Sequence, residues 1–175
     1  KMEKKFKKCN YLSFNHDYSC FSVATSSGFK IYNSSPLKLI VERDLEGSLE
    51  MASMLYRCNI VGLVGGGTYP KYSPNKLILW DDLLSKVTGE ITHISKIVCF
   101  KLRKDIIAVS LEEKVMVYNM TDLELIRSHE TRENTFGVLS LNTKGEEPIL
   151  AMLGIKRGFA KVAFVKSNKE VDIEC

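Results

Sequence analysis

Residues 63–82 read LVGGGTYPKYSPNKLILWDD. An apolar run ends in Gly65-Gly66-Gly67, a segment with two prolines follows, and a second apolar run closes on Trp80-Asp81. Three glycines after a strand can cradle a phosphate, or they can let a strand turn into a long connection. A phosphate loop needs G-x-x-x-x-G-K-[ST] between a strand and a helix, so that backbone amides and a helix N-terminus meet the anion. No Lys-Ser/Thr follows here at that spacing, and Tyr69-Pro70 and Ser73-Pro74 favour extended chain over a helix start. Nor does a G-x-G-x-x-G run open a helix. The stretch reads as a strand ending in glycine, a Pro-containing loop over 68–76, and the strand KLILWD.

The end of that strand recurs. FKIYN (29–33), LILWD (77–81) and VMVYN (115–119) each close on an aromatic followed by Asn or Asp, and KVAFV (161–165) places Phe164 in the same slot. The spacing is roughly 40–45 residues, that of a propeller blade. The aromatic is expected to pack between blades, and the Asn or Asp to end its strand by bonding to backbone in the turn. SSPLKL, DLLSKV and TDLELI follow the first three pairs, each a turn leading into an outer strand. Short runs of Val, Ile, Tyr, Phe and Thr between turn residues dominate the chain, and no segment sustains a helical period over three turns. The fold class is therefore all-β, a WD40-like propeller of about four blades. A basic arm covers 1–10, and blades cover 11–175 with ends near 36, 86, 124 and 168. A four-stranded sheet cannot bury both faces alone. Four blades are expected to be part of a larger ring, completed by sequence outside the chain or by another chain.

Composition narrows the function classes. The 175 residues suit one folded domain, being 45% hydrophobic and 26% charged. No apolar run approaches the roughly 18–20 residues of a membrane span, and the start KMEKKFKK lacks a secretory pattern. Cys9, Cys20, Cys58, Cys99 and Cys175 lack metal or CxxC spacing, so they read as reduced cysteines in a cytosolic core, with Cys20, Cys58 and Cys99 in strand-like, partly apolar surroundings. His16, His93 and His129 form no ligand or triad pattern and read as structural. The net charge of +4 permits an anionic partner without demanding one. Lys1, Lys4, Lys5, Lys7 and Lys8 read as a solvated chain end or as a weak aid to anionic lipid.

Catalytic chemistry finds no support. Asp81-Asp82, Glu112-Glu113 and Glu146-Glu147 are adjacent pairs, which point to opposite sides of a strand and read as solvated turn residues. No nucleophile elbow is present, and the basic KLRKD (101–105) reads as a hairpin corner rather than a nucleic-acid stripe. The reading is a non-enzyme with no catalytic residue, metal, cofactor or nucleic-acid partner.

LSFNHDYSCFSVATSSGFKIYNSSPLK, LYRCNIVGLVGGGTYPKYSPNKLILWDD and KLRKDIIAVSLEEKVMVYN together resemble the PROPPIN family of WIPI-like autophagy propellers, from about Tyr11 to Phe164. The chain departs from the family in ENTFGVLSL, where Thr135 and Phe136 replace the proline region of Asn-Pro-x-Gly-Leu. The resemblance implies a seven-bladed ring, of which this chain is the N-terminal half. It implies a peripheral effector on autophagic precursor and endosomal or vacuolar membranes, cytoplasmic and non-enzymatic. Its ligands would be phosphatidylinositol 3-phosphate and 3,5-bisphosphate, and its partners autophagy proteins including a large lipid-transfer protein. The family's Arg-Arg-Gly lipid motif is absent here and is expected downstream of Cys175. Its nearest look-alike is IKRG, with Lys156 and Arg157, which reads as a turn between inner strands of the fourth blade. The blades of this half resemble those that dock other autophagy proteins in the family, and the loop Thr68–Lys76, with Tyr69, Lys71 and Tyr72, is a candidate for that role. The same loop also reads as one packed over the blade edge.

Overall fold

Sixteen strands and no helix are formed by the described residues, 8–175, of the computed structural model. The basic arm lies outside the described residues except for Lys8 onward. The chain divides into two compact units, Lys1–Thr92 and His93–Cys175, each carrying two four-stranded antiparallel sheets in sequential order.

In the first unit, sheet 1 is β1 (Cys9–Phe14), β2 (Cys20–Thr25), β3 (Gly28–Asn33) and β4 (Lys38–Asp44). Sheet 2 is β5 (Leu49–Met54), β6 (Ile60–Gly65), β7 (Lys76–Asp81) and β8 (Lys86–Thr92). Alternation on β2 turns Cys20, Ser22 and Ala24 inward. These meet Ala52, Met54, Val61 and Leu63 of sheet 2 in one core, with Phe29 and Ile31 beside them. LEGSLEMASML, the most helix-like stretch by propensity, contributes β5, because this cross-sheet burial outweighs local preference.

In the second unit, sheet 3 is β9 (Cys99–Leu102), β10 (Ile106–Ser110), β11 (Lys114–Asn119) and β12 (Leu125–Glu130). Sheet 4 is β13 (Leu139–Leu141), β14 (Ile149–Leu153), β15 (Phe159–Phe164) and β16 (Lys169–Glu174). Ala108, Val115 and Val117 of sheet 3 pack on Leu139, Leu150, Met152 and Ala163 of sheet 4. The fourth strand of each sheet is largely exposed, and β16 is exposed along its whole length.

The aromatic–polar pairs end the third strand of sheets 1, 2 and 3, and their chemistry is visible. Asn33 donates Nδ2–H to the Pro36 carbonyl (2.9 Å), Asp81 Oδ1 accepts the Leu84 N–H (3.0 Å) and Asn119 Oδ1 accepts the Thr121 N–H (2.8 Å). At the same place the register slips by one residue, at Ile31/Tyr32, Leu79/Trp80 and Val117/Tyr118, leaving Ile40, Thr88 and Ile126 as the extra residues on the outer strands. Sheet 4 breaks both rules. Phe164 is followed by Val165 rather than a polar cap, and the β15–β16 ladder runs without a slip. Glu147 takes over the cap from a distant loop, its Oε1 accepting the Lys166 N–H at 2.6 Å.

Tyr32 stacks at 5.1 Å and 10° on Phe21, its cross-strand partner in the same sheet. Two expectations are corrected. Cys20 and Cys99 are buried, whereas Cys58 lies exposed in the turn between β5 and β6, because its Leu55-to-Cys58 turn leaves the ladder. The acid pairs are not uniformly solvated. Asp82 is ion-paired to Arg43 and Asp81 is buried, while Glu112, Glu113 and Glu146 are exposed.

Candidate functional site

The connection between β6 and β7, residues 66–75, is built on the three glycines. A Cβ on Gly65 would collide with the Tyr72 carbonyl, and one on Gly66 with the Glu50 side chain. Gly67 has φ +82°, and a Cβ there would lie 2.7 Å from Ser48 Oγ. The glycines therefore seat protein against protein. The loop is laced to the segment before β5, since Ser48 N–H donates to the Tyr69 carbonyl (2.7 Å) and Lys71 N–H to the Ser48 carbonyl (3.0 Å). Gly47 lets Lys71 come close, as a Cβ there would stand 2.7 Å from Lys71 Cα. Asn10, the extra residue of a bulge in β1, donates Nδ2–H to Ser48 Oγ (3.1 Å) and to the Leu49 carbonyl (2.7 Å), so sheet 1 supports the same segment.

The three candidate residues face different ways. Tyr72 is half-buried against the first unit's core, and burial pushes its phenol above the ordinary range. Tyr69 is 81% exposed, and Lys71 is exposed beside it. The loop thus combines both readings of the sequence. Tyr72 packs it down, and Tyr69 with Lys71 forms its outer surface on a backbone fixed at both flanks.

At the other end of sheet 2, the turn after β7 meets sheet 1. Arg43 on β4 donates from Nε to Asp82 Oδ1 (2.7 Å) and from Nη2 to Oδ2 (3.0 Å), a bidentate pair. Trp80 Nε1–H also reaches Asp82 Oδ1 at 3.3 Å. Next door, the Asn59 side chain and then the Leu84 N–H hold the Asp81 carboxyl below its ordinary value. A cavity of about 460 Å³ opens here, with Cys20, Ile31, Met54 and Val61 in its lining and Arg43 and Arg57 among its polar walls.

Lys156 and Arg157 belong to the second unit, in the exposed turn between β14 and β15. Lys156 borders a cavity of about 200 Å³ that also has Lys161 and Asp172 in its walls, so a carboxylate stands among the cations. Among the described residues no group of three or more His, Cys, Asp or Glu is placed to hold a metal ion.

Sequence reasoning missed Arg103, which is 1% exposed. Its guanidinium donates to Asn142 Oδ1 (2.7 Å), to the Glu147 carbonyl (3.2 Å) and to the Gly145 carbonyl, and its Nε lies 2.9 Å from Asp105 Oδ1. It thereby joins the β9–β10 turn of sheet 3 to the β13–β14 loop of sheet 4. A signal existed. Asn15, Leu55, Arg103 and Asn142 each follow the first strand of a sheet, and each N–H bonds the opening carbonyl of the second strand at 2.9 to 3.1 Å. Asn15 makes the matching reach in the first unit, donating Nδ2–H to the Tyr56 carbonyl (3.2 Å) of sheet 2.

Comparison with known proteins places these features. No family model matches the chain. It is 37% identical over 145 residues to SVP1-like protein 2 of Pichia angusta, covering 81% of this chain and 40% of that protein. It is 32% identical over 141 residues to autophagy-related protein 18 of Kluyveromyces lactis, covering 81% and 28%. The crystal structure of Hsv2 from Kluyveromyces marxianus superposes with a TM-score of 0.80 at 23% identity, over 96% of this chain and 49% of that one. The chain thus spans less than half the length of each of these proteins.

Proposed function

The chain belongs to the PROPPIN family of SVP1-like and Atg18 β-propellers, and from that membership we propose that it is part of a phosphoinositide effector. On this reading the protein is a non-enzymatic propeller scaffold in autophagy and endolysosomal membrane traffic, cytoplasmic and peripherally bound to autophagic precursor and endosomal or vacuolar membranes. The whole protein would bind phosphatidylinositol 3-phosphate and 3,5-bisphosphate through an Arg-Arg-Gly motif downstream of Cys175. Two arginines suit that task because their planar forks hydrogen-bond phosphate oxygens directionally. The observation that carries the reading is the 37% identity to an SVP1-like protein over 145 residues.

Within this chain, the contribution we propose is protein docking. Tyr69 and Lys71 stand out on a loop whose backbone is tied to Ser48, so a partner would meet a pre-organised surface. The partners fitting this reading are autophagy proteins, including a lipid-transfer protein. A scaffold that binds protein without lipid is the second reading, favoured by that loop and by the carboxylate of Asp172 standing among the cations near Lys156.

Flotation of the full-length protein with vesicles separates the two. Recovery should rise when phosphatidylinositol 3-phosphate is included; equal recovery with and without it sinks the lipid reading and leaves the scaffold.

A further inference from the structure

His129 lies on β12 with its side chain 1% exposed, where sheet 3 meets sheet 4. Its Nδ1 is 2.9 Å from Glu170 Oε1 on β16, and Glu170 Oε2 is 3.1 Å from Lys161 Nζ on β15. One carboxylate therefore bridges an imidazole on one sheet and an ammonium on the other. His129 Nε2 is buried with no hydrogen-bond partner, and so is Thr131 Oγ1, two residues further along the chain. The other charged group acting on the imidazole is Arg127, two residues back on β12, while Asp172, two residues beyond Glu170 on β16, is the ladder partner of Lys161. On β11 the ladder partner of His129 is the apolar Val115.

We propose that His129, Glu170 and Lys161 form a proton-controlled clasp between the outer strands of sheets 3 and 4, closed while His129 is neutral and loosened when it takes a proton. In the closed form Nδ1–H donates to Glu170, and the Nε2 lone pair is dry. Protonation would create a second N–H with no acceptor, in a buried position near Arg127 and Lys161. Glu170 offsets part of that cost but is already shared with Lys161. The balance follows the burial, which holds the imidazole below its ordinary value of 6.5 against the pull of Glu170. A loosened clasp returns His129 to water and removes the tether on β16, whose outer side carries no further strand of the described chain. Acidification would thus release a sheet edge at a defined place.

The test is hydrogen exchange of residues 169–174 in the full-length protein between about pH 7.5 and 5.5, corrected for intrinsic exchange, with an NMR titration of His129. The imidazole should titrate below 6.5, and protection of β16 should fall by at most about tenfold per pH unit, the limit for one proton. His129→Gln, which keeps an N–H donor but does not titrate, should flatten that dependence. Glu170→Gln should move the His129 titration further down, which keeps the proposal testable where the first variant folds poorly. Corrected protection that is constant with pH, or that falls equally in His129→Gln, overturns the clasp. So does a His129 titration that Glu170→Gln leaves in place.

Discussion

Arg103 carries more of the second unit's architecture than any charged residue whose role the sequence suggested. Its guanidinium replaces water for three acceptors at once, in a position with almost no exposure. Removing it leaves the Gly145 carbonyl without its side-chain donor, takes one of two donors from Asn142 Oδ1 and from the Glu147 carbonyl, and strips the Asp105 carboxylate of the cation beside it. Arg103→Met is therefore expected to cost about 3 kcal/mol, read as a lower midpoint in denaturant unfolding. Arg103→Lys should recover little of it, since one ammonium cannot span the fork. Arg157, a few tens of residues on and equally basic, is exposed in its turn, and Arg157→Ala should stay within about 0.5 kcal/mol of the parent. The contrast was hidden in the sequence because KLRKD and IKRG look alike as basic turns. Only the presence of Asn142, Gly145 and Glu147 around the first makes it a core residue. Glu147 gives a smaller case. As a substitute cap for the Lys166 amide, Glu147→Ala should cost about 1 kcal/mol, a change that Glu146→Ala does not reproduce.

At the scale of elements, the loop between β6 and β7 divides its labour between two tyrosines. Tyr72→Ala removes an anchor packed on the first unit's core and should destabilise by about 2 kcal/mol. Tyr69→Ala removes an exposed ring and should leave the unfolding midpoint unchanged, while lowering capture of a docking partner in pull-down from cell extract. Gly65→Ala tests the seat itself. The new methyl meets the Tyr72 carbonyl, so the loop must lift, and a cost of about 1–3 kcal/mol is expected. If Gly65→Ala is neutral, the loop is not seated as described. The loop's existence was legible from two X-Pro steps between two apolar runs. Which tyrosine turns inward was not, because it depends on Ser48 and Gly47, some twenty residues earlier, holding the loop's strand-like start.

For the whole molecule, pH offers a test that sums over buried groups. Burial lowers His93 and His129 from 6.5. A histidine depressed in the folded state binds its proton more readily when unfolded, so its contribution is present above about pH 6.5 and declines as pH falls toward the folded value. A second decline should follow at lower pH. Asp81 is held down first by the Asn59 side chain, Glu90 by Lys76 and Glu170 by Lys161, and stability they supply above their unfolded values is lost as pH falls through the folded ones. Unfolding midpoints measured across the acid range should therefore fall in two stages, the first weakened by His129→Gln. A single fall confined to carboxylate pH would contradict the histidine environments.

The blades were legible along the chain. The aromatic–polar pair, the turn behind it and the outer strand are local chemistry: Asn33, Asp81 and Asn119 bond to backbone within three residues, so the first three blades announce their own third strands. The family resemblance was legible for the same reason, since the GGG loop and LILWD strand are contiguous. The tertiary structure alone decided where long-range partners lie. It turned the glycine run into a seat for Tyr72, buried Arg103 among carbonyls of another sheet, replaced the missing cap after Phe164 with Glu147, and closed His129 on Glu170. The last three of these join residues separated by one or more strands, and the first depends on how the loop folds back on its own start. Their strength comes from removing polar groups from water together, which depends on which sheets meet and is not written in the spacing of residues along any one of them.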